Sequence, residues 1–287
     1  MGCFALMLLF LTTIFVEVLG VPLDSELVAR ASLKEGKKRC SQNPSEGEAL
    51  PGRKDNMDER GKYHGGDMVL TPDQLGELKQ GINGDNYRWP GGIVPYVIDT
   101  NFSPSERTSV LAGINLITSK TCIKFTNRTA ENSYVFIRRG NDGTGCYSSV
   151  GRQASQPQVV NIQGNYPSGT CAYPGIVAHE LIHALGFYHE HSRTDRDDFI
   201  TVSWSNINGG SAYNFDKYPA SFVSLFGVSY DYDSLMHYSA YAFAINHNLP
   251  TLIPKQSGVS NSRLGQRSKV STLDAQKINT MYKDLCT

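Results

Sequence analysis

Charge of one sign is missing from this chain: 27 Lys and Arg are balanced by 27 Asp and Glu. That balance gives no reason to expect a nucleic acid or an anionic membrane as the main partner. Close cysteine pairs are missing too, since none of the six cysteines has the CxxC spacing of a zinc ribbon. Long apolar runs are confined to the start. Phe4 to Phe15 is almost unbroken and ends near Leu19-Gly20, with Glu17 interrupting it and Pro22 following. Although its first residues lack Lys or Arg, this pattern predicts a secretory signal peptide over residues 1–20 rather than a membrane anchor. No later segment approaches the roughly 18 apolar residues a spanning helix needs, and there is no internal repeat or low-complexity tract.

Cysteine usage agrees with export. Cys3 lies in the signal and Cys40 in a polar stretch, leaving Cys122, Cys146, Cys171 and Cys286 to form two disulfides in any of three connectivities. Asn101-Phe102-Ser103 and Asn127-Arg128-Thr129 have the form of glycosylation sequons. Between Val21 and about Gln80 the chain is charged and turn-rich, with few apolar residues at regular spacing, so it cannot bury much surface by itself. It reads as a flexible leader over residues 21–79, ahead of a folded domain over residues 80–287.

Within that domain, Gly92 to Asp99 reads as a strand that Pro95 confines to an edge or irregular position. Ser103-Pro104-Ser105-Glu106 combines an N-cap, a first-turn proline and a glutamate, followed by Val110, Ile114 and Ile117 on one helical face. Ser133 to Arg138 and Gln158 to Gln163 read as short strands, with Cys146 to Arg152 a possible further one. Tyr173 to Phe187 is helical in pattern, and a last helix starts near Ser271, with Asp274 three residues on and Ile278, Met281 and Tyr282 facing inward. The mixture predicts an α+β domain of about 200 residues.

Chemistry concentrates in HELIHALGFYH, His179 to His189. Histidines four apart on a helix project from nearly the same face and can share one ion, while Glu180 can reach a water at that ion without ligating it. Two histidines at this spacing are as often ordinary surface residues. Gly186 and His189 change the odds, because a glycine can end the helix at positive φ and return the chain with a third imidazole, as in the metzincin motif.

The sequence continues Glu190-His191-Ser192-Arg193-Thr194-Asp195-Arg196-Asp197, and further on reads Ser234-Leu235-Met236-His237-Tyr238. Together these resemble the extended signature and the Met-turn of the astacin family of zinc metalloproteases, most like its short hatching-enzyme and nephrosin type without C-terminal modules. Tyr87 to Gly92, Val94 to Tyr96 and Leu264 to Arg267 are similar to other parts of the same domain.

The resemblance implies a metzincin-type catalytic domain of two subdomains, with a twisted mixed sheet, a zinc-binding helix and a C-terminal helix. It implies one zinc ion per chain held by His179, His183 and His189, Glu180 as general base, Met236 as an apolar floor, and Tyr238 as both a displaceable ligand and a catalytic helper. It pairs Cys122 with Cys286 and Cys146 with Cys171. Gly66-Asp67 resembles the end of the family's pro-segment motif, with His64 where Phe is usual, and makes Asp67 a zinc ligand in the zymogen only. Cys40 is the rival blocking group.

A trypsin-like protease cutting after Lys79 would free Gln80 to approach Glu190. Substrate is expected along Cys146 to Arg152, and an acidic residue after the cut would meet a basic side chain, with Lys255, Arg263 and Arg267 the candidates. Partners are therefore protein or peptide substrates and the activating protease, with no nucleic acid, no membrane and a monomeric state expected. The alternative is a catalytically silent, zinc-containing extracellular binding protein.

Overall fold

The computed structural model describes residues 56–77, 87–154, 157–220 and 224–286. The signal segment, Cys40 and the Lys79-Gln80 junction lie outside them. Eight strands are present among the described residues: β1 (Met68–Val69), β2 (Ile93–Ile98), β3 (Lys124–Asn127), β4 (Val135–Gly140), β5 (Cys146–Ser149), β6 (Gln158–Gln163), β7 (Ile200–Val202) and β8 (Leu252–Pro254). The helices are α1 (Pro72–Glu77), α2 (Pro104–Thr118), α3 (Pro174–Ala184) and α4 (Thr272–Tyr282).

The main sheet runs β1-β5-β6-β4-β2-β3, parallel throughout except for the antiparallel β5/β6 pair; β7 and β8 form a separate antiparallel ribbon. This is the expected mixed α+β architecture. Two corrections concern strands. β2 is not an edge strand, because β3 and β4 flank it. Pro95 is tolerated because pairing with β4 begins only at Tyr96, so the missing N–H falls where no ladder bond is due on that side. The strand expected at Ser133 to Arg138 begins instead at Val135 and runs to Gly140.

Both end-capped helices form as the sequence implies. Ser103 and Glu106 make a reciprocal capping box at α2, and Ser271 and Asp274 do so at α4. α2 packs Val110, Ile114 and Ile117 into a core shared with Val94, Val135, Val160 and the α3 residues Val177 and Leu181. Gly113 lets the two helices meet closely, since a Cβ there would fall 2.7 Å from Val177 Cβ. A second core gathers Ile200, Phe215, Tyr230, Tyr238 and Leu252. These two cores are the two subdomains. Leu235 and Met236 belong to the first and Tyr238 to the second, so the Met-containing turn spans the junction.

The disulfides are Cys122–Cys286 and Cys146–Cys171. The first closes a span of 164 residues and, in the chain-entropy view, stabilises by about 5 kcal/mol. Among the described residues no helix is long and apolar enough to cross a membrane.

The leader needs a further correction. From Asn56 to Glu77 it is not a free segment: Met68 is 1% exposed, and Asp58, Glu59 and Asp67 are buried. Its sequence cannot build a core alone, but laid on the domain it adds strand β1 to the open side of β5, with Met68 opposite Ser148.

Candidate metal centre

α3 is buried on every side from Gly175 to Ala184, so its two histidines are fixed by packing as well as by the helix. Its last carbonyls are satisfied from elsewhere: Trp89 Nε1 donates to Ala184 O at 2.8 Å and Tyr282 Oη to Leu185 O at 2.9 Å. Gly186 then takes φ 107°, and a Cβ there would lie 3.0 Å from Met281 Cε. The chain turns sharply, and His189 comes back to the helix as expected.

His179 Nδ1 lies 2.8 Å from Leu235 O, and His183 Nδ1 lies 2.7 Å from Phe187 O. A carbonyl only accepts, so each Nδ1 carries the proton and each Nε2 presents a lone pair. Yet those two Nε2 atoms are 3.1 Å apart. Two lone pairs cannot bond each other; a shared cation reconciles them. Burial pushes His179 below the usual imidazole range and His189 down to about 4, which keeps both neutral and suited to ligation near pH 7.

Asp67 completes the cluster. One ligand atom from each of Asp67, His179, His183 and His189 lies within 4.8 Å of the others, and all four residues are buried. Asp67 Oδ2 is 3.0 Å from His179 Nε2, whereas Asp67 Oδ1 has no hydrogen-bond partner among the described residues. Three imidazole nitrogens and a carboxylate converging, with no proton on the facing nitrogens of His179 and His183, fit zinc.

Gly65 and Gly66 carry the leader over the site with φ 62° and 87°. A Cβ at Gly65 would come 3.0 Å from His189 Nδ1, so only glycine passes this close. His64, at the position where phenylalanine is usual, sits 3.1 Å from the Tyr218 hydroxyl and so anchors the leader by a polar contact.

Glu180 is fully buried, and neither of its oxygens has a hydrogen-bond partner among the described residues. Burial first, then the negative charges of Asp67 and Asp58, pushes its carboxyl well above the usual range. Tyr238 is placed differently from the expected ligand: its hydroxyl donates to Gly65 O, and its ring stacks 3.7 Å from that of His191. Met236 is buried in the first core, its carbonyl accepting from Glu190 N at 2.9 Å. Asp274, besides capping α4, accepts from Ser234 Oγ and Leu235 N at 2.6 and 2.8 Å. The C-terminal helix thereby holds the turn whose carbonyl orients His179.

Two groups of buried charged residues around the site escaped the sequence reading. One is the acidic pair Asp58 and Glu59, buried in the leader, with Arg267 Nη2 2.6 Å from Asp58. Of the three basic candidates, Arg267 alone meets the site; Arg263 pairs with Asp233, and Lys255 donates to Asp197 O. The other is Lys277, whose Nζ lies 2.6 Å from Glu190 Oε2, while Glu190 Oε1 accepts from Arg193 and Asp231 N. An acidic pair in a charged leader, or one lysine on a helix, leaves no pattern in sequence. Truncation by Lys277→Met should lower stability by about 3 kcal/mol, because it leaves a buried carboxylate short of its main partner. Urea unfolding of the full chain would check this, and an unchanged midpoint would argue against it.

Fold and site together define a metzincin-type zinc metalloendopeptidase domain. The sequence model of the astacin peptidase family matches residues 81–283, and the chain belongs to that family. It is 41% identical over 217 residues to zinc metalloproteinase nas-14 of Caenorhabditis elegans, covering 75% of this chain and 39% of that protein. It is likewise 41% identical over 197 residues to human Tolloid-like protein 2, covering 68% of this chain and 19% of that one. The chain thus spans well under half the length of both relatives. The structure of high choriolytic enzyme 1, a hatching enzyme zinc-protease from the medaka fish Oryzias latipes, superposes with a TM-score of 0.62 at 34% identity, covering 72% of this chain and 98% of that one.

Proposed function

We propose that the chain is a secreted zinc endopeptidase held latent by its own leader, and that it cleaves extracellular proteins next to acidic residues. The observation that carries this reading is Asp67 standing among three converging imidazoles, with the buried Glu180 carboxylate unpartnered among the described residues. His179, His183 and His189 would hold zinc, which would supply Lewis acidity toward a water and a scissile carbonyl.

The remaining steps belong to side chains. With the leader gone, Glu180 loses two carboxylate neighbours and gains solvent, so its carboxyl falls toward the range of a general base. It takes a proton from the attacking water and delivers it to the departing amine. Tyr238, released from Gly65, is free to donate to the developing oxyanion. β5 loses β1 and becomes an open edge on which an extended peptide can pair, while Arg267 faces the position vacated by Asp58. A cavity of about 550 Å³ reaches Glu190 and Lys277, giving the new chain end near Gln80 a place to enter.

The test uses the full chain expressed with its leader, treated with trypsin, then with a serine-protease inhibitor that silences the trypsin, and incubated with casein. Cleavage should appear only after treatment, vanish with a chelator and return with added zinc. A treated, zinc-loaded chain that leaves casein and a peptide library intact would instead favour the silent zinc-containing binding protein.

A further inference from the structure

Leu264 to Arg267 is folded tightly onto the residues after the Met-containing turn. A Cβ at Gly265 would lie 2.4 Å from Ser239 Cα, and one at Gly175 would lie 1.6 Å from the Arg267 carbonyl oxygen. These two glycines set Arg267 and Ser239 as neighbouring walls of one recess. Nη1 of Arg267 donates to the carbonyls of His237 and Gln266, both at 3.1 Å, which leaves Nε and Nη2 as a preset fork. The fork holds Asp58 Oδ2 at 3.2 and 2.6 Å. Ser239 adds a second pair of donors, its backbone N–H and its Oγ, each 2.6 Å from a different oxygen of Glu59. Ser239 is 4% exposed and the Arg267 side chain 8%, so both donor sets are buried with the acids they hold.

We propose that Arg267 and Ser239 form a paired carboxylate site, by which the activated domain selects peptides that present two adjacent acidic side chains from one tight turn, as the leader does from its 3-10 turn Asp58–Arg60. The leader's Asp58-Glu59 is the resident copy of that ligand. This rests on the peptidase reading above and adds to it a second acid and the residue that receives it. Asp58 Oδ2 is only 3.8 Å from His179 Nε2, so the acid held by Arg267 lies beside the metal centre and its chain neighbour reaches Ser239. Arg267 alone would be matched by one carboxylate. The two Ser239 donors, aimed into the same recess, would then lack a carboxyl acceptor, and a buried donor left without its partner is costly. Arg267 Nη2, 3.6 Å from Glu59 Oε1, strengthens the same preference.

The experiment uses the full chain, activated with trypsin, and four fluorogenic peptides identical except at two successive positions: Asp-Glu, Asp-Gln, Asn-Glu and Asn-Gln. Wild-type kcat/KM should be about tenfold higher for Asp-Glu than for Asp-Gln. Ser239→Ala should narrow that ratio below about threefold without narrowing the Asp-over-Asn ratio, which is set by Arg267. The first comparison is read on the wild-type chain and does not depend on how the variant folds. Asp-Glu and Asp-Gln cleaved within twofold of each other, with Asp still favoured over Asn, would overturn the paired site while leaving the Arg267 reading in place. Cleavage with no preference for Asp, or no cleavage at all, would remove the reading beneath it as well.

Discussion

Activated Glu180→Gln chain should lose at least about 10³-fold in kcat/KM on casein-derived peptides while still binding one zinc ion. At 1.36 kcal/mol per decade that corresponds to about 4 kcal/mol of transition-state stabilisation. The substitution suits the question because Gln keeps the shape of Glu, and because His179, His183 and His189 draw their orientation from Leu235, Phe187 and the Gly186 turn rather than from Glu180. Metal content and the unfolding curve should therefore stay close to wild type while turnover collapses. A variant with full metal content and undiminished turnover would show that the proton is carried by another group, and Tyr238 would be the first to examine.

Replacing Asp67 with Ala in the uncleaved chain should give peptidase activity before any proteolytic activation, seen as casein hydrolysis by protein that still runs at full length on a gel. The gain is expected to be partial. Loss of the carboxylate opens the fourth side of the histidine cluster, but β1 remains paired to β5, and Asp58 and Glu59 remain on Arg267 and Ser239. Adding Asp58→Asn and Glu59→Gln should raise the leak at least about tenfold further, since a buried ion pair broken on one side commonly costs several kcal/mol. If Asp67→Ala alone stayed silent, and the triple variant with it, the leader's hold would rest on the strand pairing and not on the acidic side chains. An Asp67→Ala chain as active as the trypsin-treated wild type would show that Asp67 is the whole of the lock.

How far the sequence discloses this molecule depends on the range of each interaction. Ser103 with Glu106, Ser271 with Asp274, and His179 with His183 are local patterns whose periodicity implies their geometry, and each forms as read. Gly186 is a single residue with a backbone job, and its φ of 107° follows from the return to His189. β3, β7 and β8 are not recognisable in the sequence, because strands of three or four residues gain their identity from the partners they pair with. Pro95 signals a residue with no hydrogen to give, and that signal does not extend to the sheet's edge. The most consequential omissions are distant pairs: Arg267 meets Asp58 across 209 positions and Lys277 meets Glu190 across 87. Nothing in the composition around Asp58 distinguishes it from other acids of the leader. Arg267 can be shortlisted through resemblance, and what singles it out is packing against Gly175 and the ion pair with Asp58.

The bond between Cys122 and Cys286 has a bearing on self-digestion. Because it ties the residues just ahead of β3 to the segment after α4 across 164 positions, one backbone break anywhere between them leaves two fragments that cannot diffuse apart. A preparation that nicks itself would keep its hydrodynamic size and run as a single band until a reductant was added. The molecule is thereby buffered against the first wound inflicted by a neighbouring copy.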